Sequence, residues 1–338
     1  MVDFDTNRRS FVKSGAAAVT VGLAGCLGNG GGNSGSESLV IGTSTSDSSA
    51  YAMSQGMASS VKSNSDLQVS SRATEGTVDS FGLWNQGDID IGVMSNYMAS
   101  QVEAGDEPYN NIQRTPNLLM HVYDLAWFAC TPNSNMTSVT DIGGDTTVSL
   151  NPAGTTTRTY LHSALDKAVD DYEEISVEYS GLGSAMSEGR LDVGGILLFN
   201  FAQETAWAQE MKSTVDLGIM SWPDEVIQQI EEDPYLRTQT LSPDSFEGYQ
   251  FIPDNPSAMT LIWWLMVAND MDYDTVYNFL ETLWNNRQQF VDSHAVAAFY
   301  EENSWWTKNA INVPFHPAAA DFYQEQGVWD ESYTRGEE

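Results

Sequence analysis

A chain of 338 residues, 41% hydrophobic and 11% aromatic, has the length for two lobes or one large domain and the apolar content to fill their cores. Its charge is the outlier, with 47 Asp and Glu against 14 Lys and Arg, a formal net of -33. No basic patch is present to neutralise phosphates, which excludes nucleic acid as a partner, and the aromatic content with clear periodicity excludes a disordered chain.

The N-terminus reads Asn7-Arg8-Arg9-Ser10-Phe11-Val12-Lys13, then a modest apolar stretch from Gly15 that closes on Leu23-Ala24-Gly25-Cys26. Paired arginines, a short apolar region and small residues before a cysteine match a twin-arginine signal ending in a lipobox. The stretch is too short for a transmembrane helix, which needs about 20 residues. The motif implies export in a folded state, cleavage before Cys26 and lipid on the Cys26 thiol. Residues 1–25 are then a signal peptide and 26–38 a flexible Gly/Ser tether, with the mature protein on the outer face of the cytoplasmic membrane. A single lipid chain holds a protein weakly, so firm anchoring takes two.

Leu39, Val40 and Ile41 read as a buried strand that breaks at Gly42 into a loop of hydroxyls. Ala50, Met53, Met57 and Val61 then fall at helical spacing. A strand end, a polar loop and a fresh helix N-terminus place N–H groups and hydroxyls beyond the carboxyl end of a strand, where open α/β sheets bind ligands. The pattern returns with Leu67-Gln68-Val69, the loop Arg72–Thr77 and a helix carrying Val78, Phe81 and Trp84. It returns again with alternating Ile89, Ile91 and Val93, which stop at Met94-Ser95-Asn96.

Pro132–Ser138 is turn-rich and marks a crossing into a second lobe. Cys130, behind the strand-like Leu125–Ala129, reads as a buried structural thiol, and Asn135-Met136-Thr137 is a glycosylation sequon. Thr146–Leu150 is a strand ending in Asn151–Arg158, before a helix with Leu161, Ala164, Leu165, Ala168 and Val169 inward. Ser176–Tyr179 reads as a further strand. Gly189-Arg190-Leu191-Asp192-Val193 parallels Gly87-Asp88-Ile89-Asp90-Ile91, so two lobes of like construction are expected. Asp224–Pro256 reads as an acidic surface stretch, Thr260–Val267 as a buried strand, and Asp272 as the cap of a helix with Val276, Phe279, Leu280, Leu283, Trp284 and Val291 on its apolar face.

No GxSxG elbow, P-loop or HExxH occurs, and the four histidines stand far apart without a second ligand type at metal spacing. No nucleophile with a matched base assembles, so the reading is a binding protein with neither metal nor cofactor, not an enzyme.

The mature chain resembles a solute receptor of TRAP transporters of the TAXI family. Ile41-Gly42-Thr43-Ser44-Thr45-Ser46 with Tyr51 is similar to that family's IGTGST…Y opening, and Thr74–Ser80 to its TGGSVEN loop. Ser149–Arg158 stands where the family has a Gly/Ser/Thr-rich turn ending in GTR, and Pro314–Ala319 with Phe322–Trp329 is similar to its closing PFHPGA…YYKEKGVW. Asp47, Ser48 and Glu75 depart from it, standing where glycines are usual.

The resemblance implies a two-lobe, periplasmic-binding-protein-like α/β fold with a cleft that closes over a small solute. Residues 39–131 form the first lobe, 132–256 the second, and 257–338 return to the first with C-terminal helices. The implied ligand-binding residues are Ser44, Thr45, Ser46 and Tyr51, then Thr74, Gly76 and Thr77, then Asn96. Asn151, Thr155, Thr156, Thr157 and Arg158 complete the cleft, with Phe199 and Asn200 on its floor. Hydroxyls and amides would hold the polar head of the solute, and N–H groups at the helix starts of Ala50 and Arg158 would stabilise a carboxylate, as in an organic acid or an amino acid such as glutamate. Arg158 has the alternative of bridging to a second-lobe carboxylate. The partners implied are TRAP-type permease subunits. A binding lipoprotein of an ABC importer and an exported two-lobe transferase or hydrolase are the alternatives.

The charge of -33 reads as a halophilic surface whose self-repulsion is relieved by screening. Thermal melts in dilute buffer should give a much lower midpoint than in molar KCl; equal midpoints would refute that reading.

Overall fold

The computed structural model describes residues 38–337; the paired arginines, Cys26 and the tether to residue 37 lie outside them. The chain opens with strand β1 (Ser38–Gly42), which pairs in parallel with β2 (Gln68–Arg72) around helix α1 (Ser49–Asn64). Ser48 starts α1 by accepting the Tyr51 N–H at 3.2 Å, the expected role of a hydroxyl at a helix N-cap. Next come α2 (Thr77–Gln86), β3 (Gly92–Ser95) and α3 (Asn96–Ala104). A parallel bridge from Ile41 to Ile91 sets β1 between β2 and the β3 segment.

Strand β4 (Pro116–Thr131) is buried at every one of its 16 residues. At about 3.3 Å per residue it runs roughly 50 Å. A second βα unit follows: β5 (Thr147–Ser149), α4 (Thr156–Leu165), β6 (Glu173–Glu174), α5 (Leu182–Ser187) and β7 (Val193–Phe199). Strand β5 lies between β6 and β7, parallel to both. The chain continues through β8 (Gln203–Glu204), α6 (Ala206–Thr214), β9 (Gly218–Ile219), α7 (Asp224–Glu232) and β10 (Thr238–Thr240) to the long β11 (Ser257–Ala268). Helices α8 (Tyr273–Asn285), α9 (Arg287–Val291) and α10 (Pro317–Glu325) complete it.

Strands β4 and β11 pair antiparallel from Trp127–Met259 to Pro116–Ala268. The short strand β3 joins β11 at Trp263–Met266, while β7 and β9 join β4 beyond Asp124. The register slips at Val122 and Leu119, each left without a partner on β11. Such bulges orphan backbone groups. Two tyrosines far along the chain answer them: the Tyr300 hydroxyl donates to the His121 and Val122 carbonyls, and that of Tyr323 to the Leu119 carbonyl at 2.8 Å. Both tyrosines are fully buried, and burial pushes their phenols well above the usual range.

The GxxD likeness read from sequence is a structural repeat. Gly87 and Gly189 both take positive φ, 84° and 68°, a conformation that favours glycine. Gly87 N–H bonds Trp84 O and Asp88 N–H bonds Leu83 O; Gly189 to Met186 and Arg190 to Ala185 repeat that pattern. Three residues after each glycine an aspartate locks two strands. Asp90 accepts the Val40 N–H at 2.8 Å, and Asp192 accepts the Thr147 N–H at 2.9 Å and its hydroxyl at 2.8 Å.

Four expectations are corrected. No strand forms at Ser176–Tyr179, because side chains take the backbone there: Ser149 Oγ accepts the Val177 N–H, Ser176 Oγ accepts the Ala153 N–H, and Tyr179 opens a tight 3-10 turn. The stripe to Val169 outruns α4, which ends at Leu165; Ala168 and Val169 pack from a following turn whose N–H groups fold back on Leu165 O. The Asp272 helix stops at Asn285, where Asn286 Nδ2 bonds the Thr282 carbonyl, so Val291 belongs to α9. The acidic stretch Asp224–Pro256 holds α7, which buries Val226 and Ile230. As expected, Cys130 is buried, its thiol 3.4 Å from Gly194 O, and burial raises its pKa far above the usual thiol value.

Hydrogen bonds to a charged acceptor contribute about 1.5–3 kcal/mol. Asp90→Ala and Asp192→Ala should each lower unfolding free energy in urea by about that amount. Wild-type midpoints in both would remove the strand-locking role.

Candidate functional site

A cavity of about 570 Å³ opens beyond the carboxyl ends of β1 and β5. From the first unit come Ser44, Asp47, Ser48, Ser49, Ala50 and Thr77; from the second, Thr155, Thr157 and Tyr179. Tyr123, Leu125 and Trp127 reach it from β4 at every second residue, as do Leu197 and Phe199 from β7. Side chains alternate across a strand, so Asp124, Ala126 and Phe128 face away from these. Trp263 of β11, Gln203–Trp207 with Glu210, and His294–Val296 close the remaining walls.

Helix starts dominate the rim. Ser48, Thr155, Thr205 and His294 each cap a helix and line the cavity. Caps satisfy only part of the free N–H groups of a first turn, so the rim carries partial positive charge. His294 Nδ1 accepts the Val296 N–H, and burial lowers its pKa, which keeps the ring neutral at pH 7.

Of the residues singled out in sequence, Ser44, Thr77, Thr155, Thr157 and Phe199 line the cavity. The others do not line it. Thr45 turns the first loop, its carbonyl accepting the N–H and hydroxyl of Ser48, while Ser46 is exposed and Tyr51 half-buried in α1. Thr74 N–H bonds Ser44 O at 3.0 Å, tying the first two loops together. Asn96 Oδ1 accepts the Ile262 N–H at 2.9 Å, which pins α3 to β11. Asn200 folds onto β4 with φ 55°, exchanging hydrogen bonds with the Asp124 backbone. Asn151 Oδ1 accepts from the hydroxyls of Thr155 and Tyr179. Arg158 pairs with Glu174 and donates to Asn151 O, the structural alternative considered for it.

Thr156 has a different task. Buried at 1% exposure, its hydroxyl bonds those of Thr77 at 3.0 Å and Tyr109 at 2.9 Å, and Thr77 Oγ1 accepts the Thr156 N–H. Gly76, at φ 147°, lies so close to Gly154 that a Cβ there would collide with the Gly154 carbonyl oxygen. The loops of the two units thus latch directly onto each other beside the cavity.

Sequence reading missed Tyr123, Trp127, Tyr179, Trp207, Glu204, Glu210 and His294. Period-two alternation from Tyr123 to Trp127 and the Thr205 cap before Trp207 were the available signals.

Residues 41–327 match the NMT1-like family. Among solved structures, the ligand-binding component of an ABC-type import system from Staphylococcus aureus aligns at 11% identity and TM-score 0.44, covering 87% of this chain and 93% of that one. A TctC solute binding protein from Polaromonas aligns at 12% identity and TM-score 0.45, covering 77% and 88%. PhnD1 from Prochlorococcus marinus, in complex with methylphosphonate, aligns at 9% identity and TM-score 0.46, covering 76% and 89%.

Thr156→Val keeps shape but strands two buried hydroxyl partners, so it should destabilise the protein by about 1–3 kcal/mol. Ser44→Ala, at the cavity wall, should stay within about 0.5 kcal/mol of wild type. Urea unfolding of both variants checks this, and equal effects would dissolve the distinction between latch and wall.

Proposed function

The chain belongs to the NMT1-like family, and on that premise we propose that it is an extracytoplasmic solute receptor. It captures a small polar solute bearing a carboxylate or similar acceptor group and delivers it to a TRAP-type membrane permease. The observation that carries this reading is the cavity, walled by both βα units at their strand ends and bordered by capped helix starts. That composition suits capture of a polar molecule. The TAXI-like motifs at Ile41–Ser46, Thr74–Ser80, Ser149–Arg158 and Pro314–Trp329 favour a TRAP partner over an ABC importer.

In this reading 39–131 and 257–338 form one lobe and 132–256 the other, with β4 and β11 as the crossing strands. The solute closes them by touching both, and the Thr77–Thr156 latch completes closure. Twin-arginine export and lipid on Cys26 hold the receptor at the outer face of the membrane.

Small-angle scattering before and after stripping bound solute by unfolding and refolding in high salt tests the closure. The stripped protein should have a larger radius of gyration, restored by the solute identified by mass spectrometry of the untreated protein. No released solute and an unchanged radius would overturn the receptor reading.

A further inference from the structure

The cavity's charge and aromatic lining narrow the class of solute. Six aromatic side chains line it, Tyr123, Trp127, Tyr179, Phe199, Trp207 and Trp263, together with the carboxylates of Asp47, Glu204 and Glu210. Among the described residues no lysine or arginine lines it. Arg158 is turned to Glu174, and Lys212, 2.8 Å from Glu204, lies over the Tyr249 ring at 4.6 Å. Glu204 also accepts from the Tyr249 hydroxyl, whereas Asp47 and Glu210 have no ion pair among the described residues. With His294 neutral, the only formal charges on the lining side chains are negative, and the helix starts offset them only in part. A dianionic solute would meet repulsion without a guanidinium or ammonium to offset it.

Two further features fix what the solute must present. Trp127, Tyr179 and Trp207 are nearly parallel, with Tyr179 and Trp207 centroids 5.0 Å apart at 20°, and Trp127 6.2 Å from Trp207 at 27°. The faces of such rings attract a cation, most strongly where water is excluded. Trp127 and Trp263 are 2% and 3% exposed, and the indole N–H of each has no partner. An indole nitrogen only donates; Trp84, Trp222 and Trp305 also keep unpartnered N–H groups, but of the five only Trp127 and Trp263 line the cavity, where a solute could supply an acceptor.

We propose that the solute is a small alkylammonium zwitterion, its cationic nitrogen against the Trp127–Tyr179–Trp207 wall beside Asp47 and Glu210, and its acceptor group on the buried indole N–H groups. This rests on the receptor reading and names the class of molecule received. It separates the solute from dicarboxylates and acidic amino acids.

Calorimetry in molar KCl with three carboxylates of one length provides the test: gamma-trimethylammoniobutanoate, the same chain with a tert-butyl head, and glutarate. The ammonium compound should bind about tenfold tighter than either of the others, the effect of a desolvated cation–π contact. Trp207→Leu should remove that advantage, so that the ammonium and tert-butyl compounds bind this variant with equal affinity. Glu210→Gln, on an exposed side chain, should weaken only the ammonium compound. Equal or tighter binding of glutarate or the tert-butyl compound would overturn the cationic class and leave the receptor standing. Tight ammonium binding indifferent to both substitutions would overturn the placement. No heat from any of the three would overturn both readings for solutes of this size.

Discussion

The pairing of β4 with β11 is the constraint on which the rest depends. Two buried strands of 16 and 12 residues, far longer than the usual five or six, hydrogen-bond along most of their lengths. Strand β3 attaches at one end of the pair, with β7, β9 and β10 at the other, so both βα units take their position from it. A ribbon this long twists, and the two bulges on β4 concentrate that twist where the side chains change surroundings.

Opposite faces of β4 serve opposite purposes. Tyr123, Leu125 and Trp127 face the cavity. Between them Asp124, fully buried, holds Asn309 Nδ2 at 2.7 Å and His121 Nε2 at 3.1 Å, while its backbone binds Asn200. A buried carboxylate persists only when its oxygens are hydrogen-bonded, so the segments around Asn200 and Asn309 are drawn to the same few residues that shape the cavity wall. Cavity shape and core integrity are therefore coupled within one strand.

The sequence carried the repeat well, since Gly–x–x–Asp turns state a local geometry that needs no tertiary help: a left-handed glycine, then an acceptor three residues on. Strand ends before helix starts were legible near Ala50 and Arg158 for the same reason, and the structure sets those starts at Ser49 and Thr156, one and two residues earlier. Distant partners were not. Nothing local says that Thr156 meets Thr77 and Tyr109, or that Arg158 turns to Glu174. The length of β4 was hidden because a strand buried on both faces alternates only locally, from Tyr123 to Trp127, and because its apolar run is broken by the buried Asn117, His121 and Asp124. Trp207 and Glu210 lie on a short helix whose own face shows only modest amphipathic character, so their aim toward a cavity follows from packing alone.

The tyrosine bonds to the bulged carbonyls tie the middle of the molecule to its late segments, across separations of 178 and 204 residues. During synthesis, β4 leaves the ribosome long before Tyr300 and Tyr323 exist. Until they arrive, its bulges have only water to satisfy them, and water cannot follow those carbonyls into a closed core. The central ribbon is therefore completed only by residues made long after it, in a late step of high contact order.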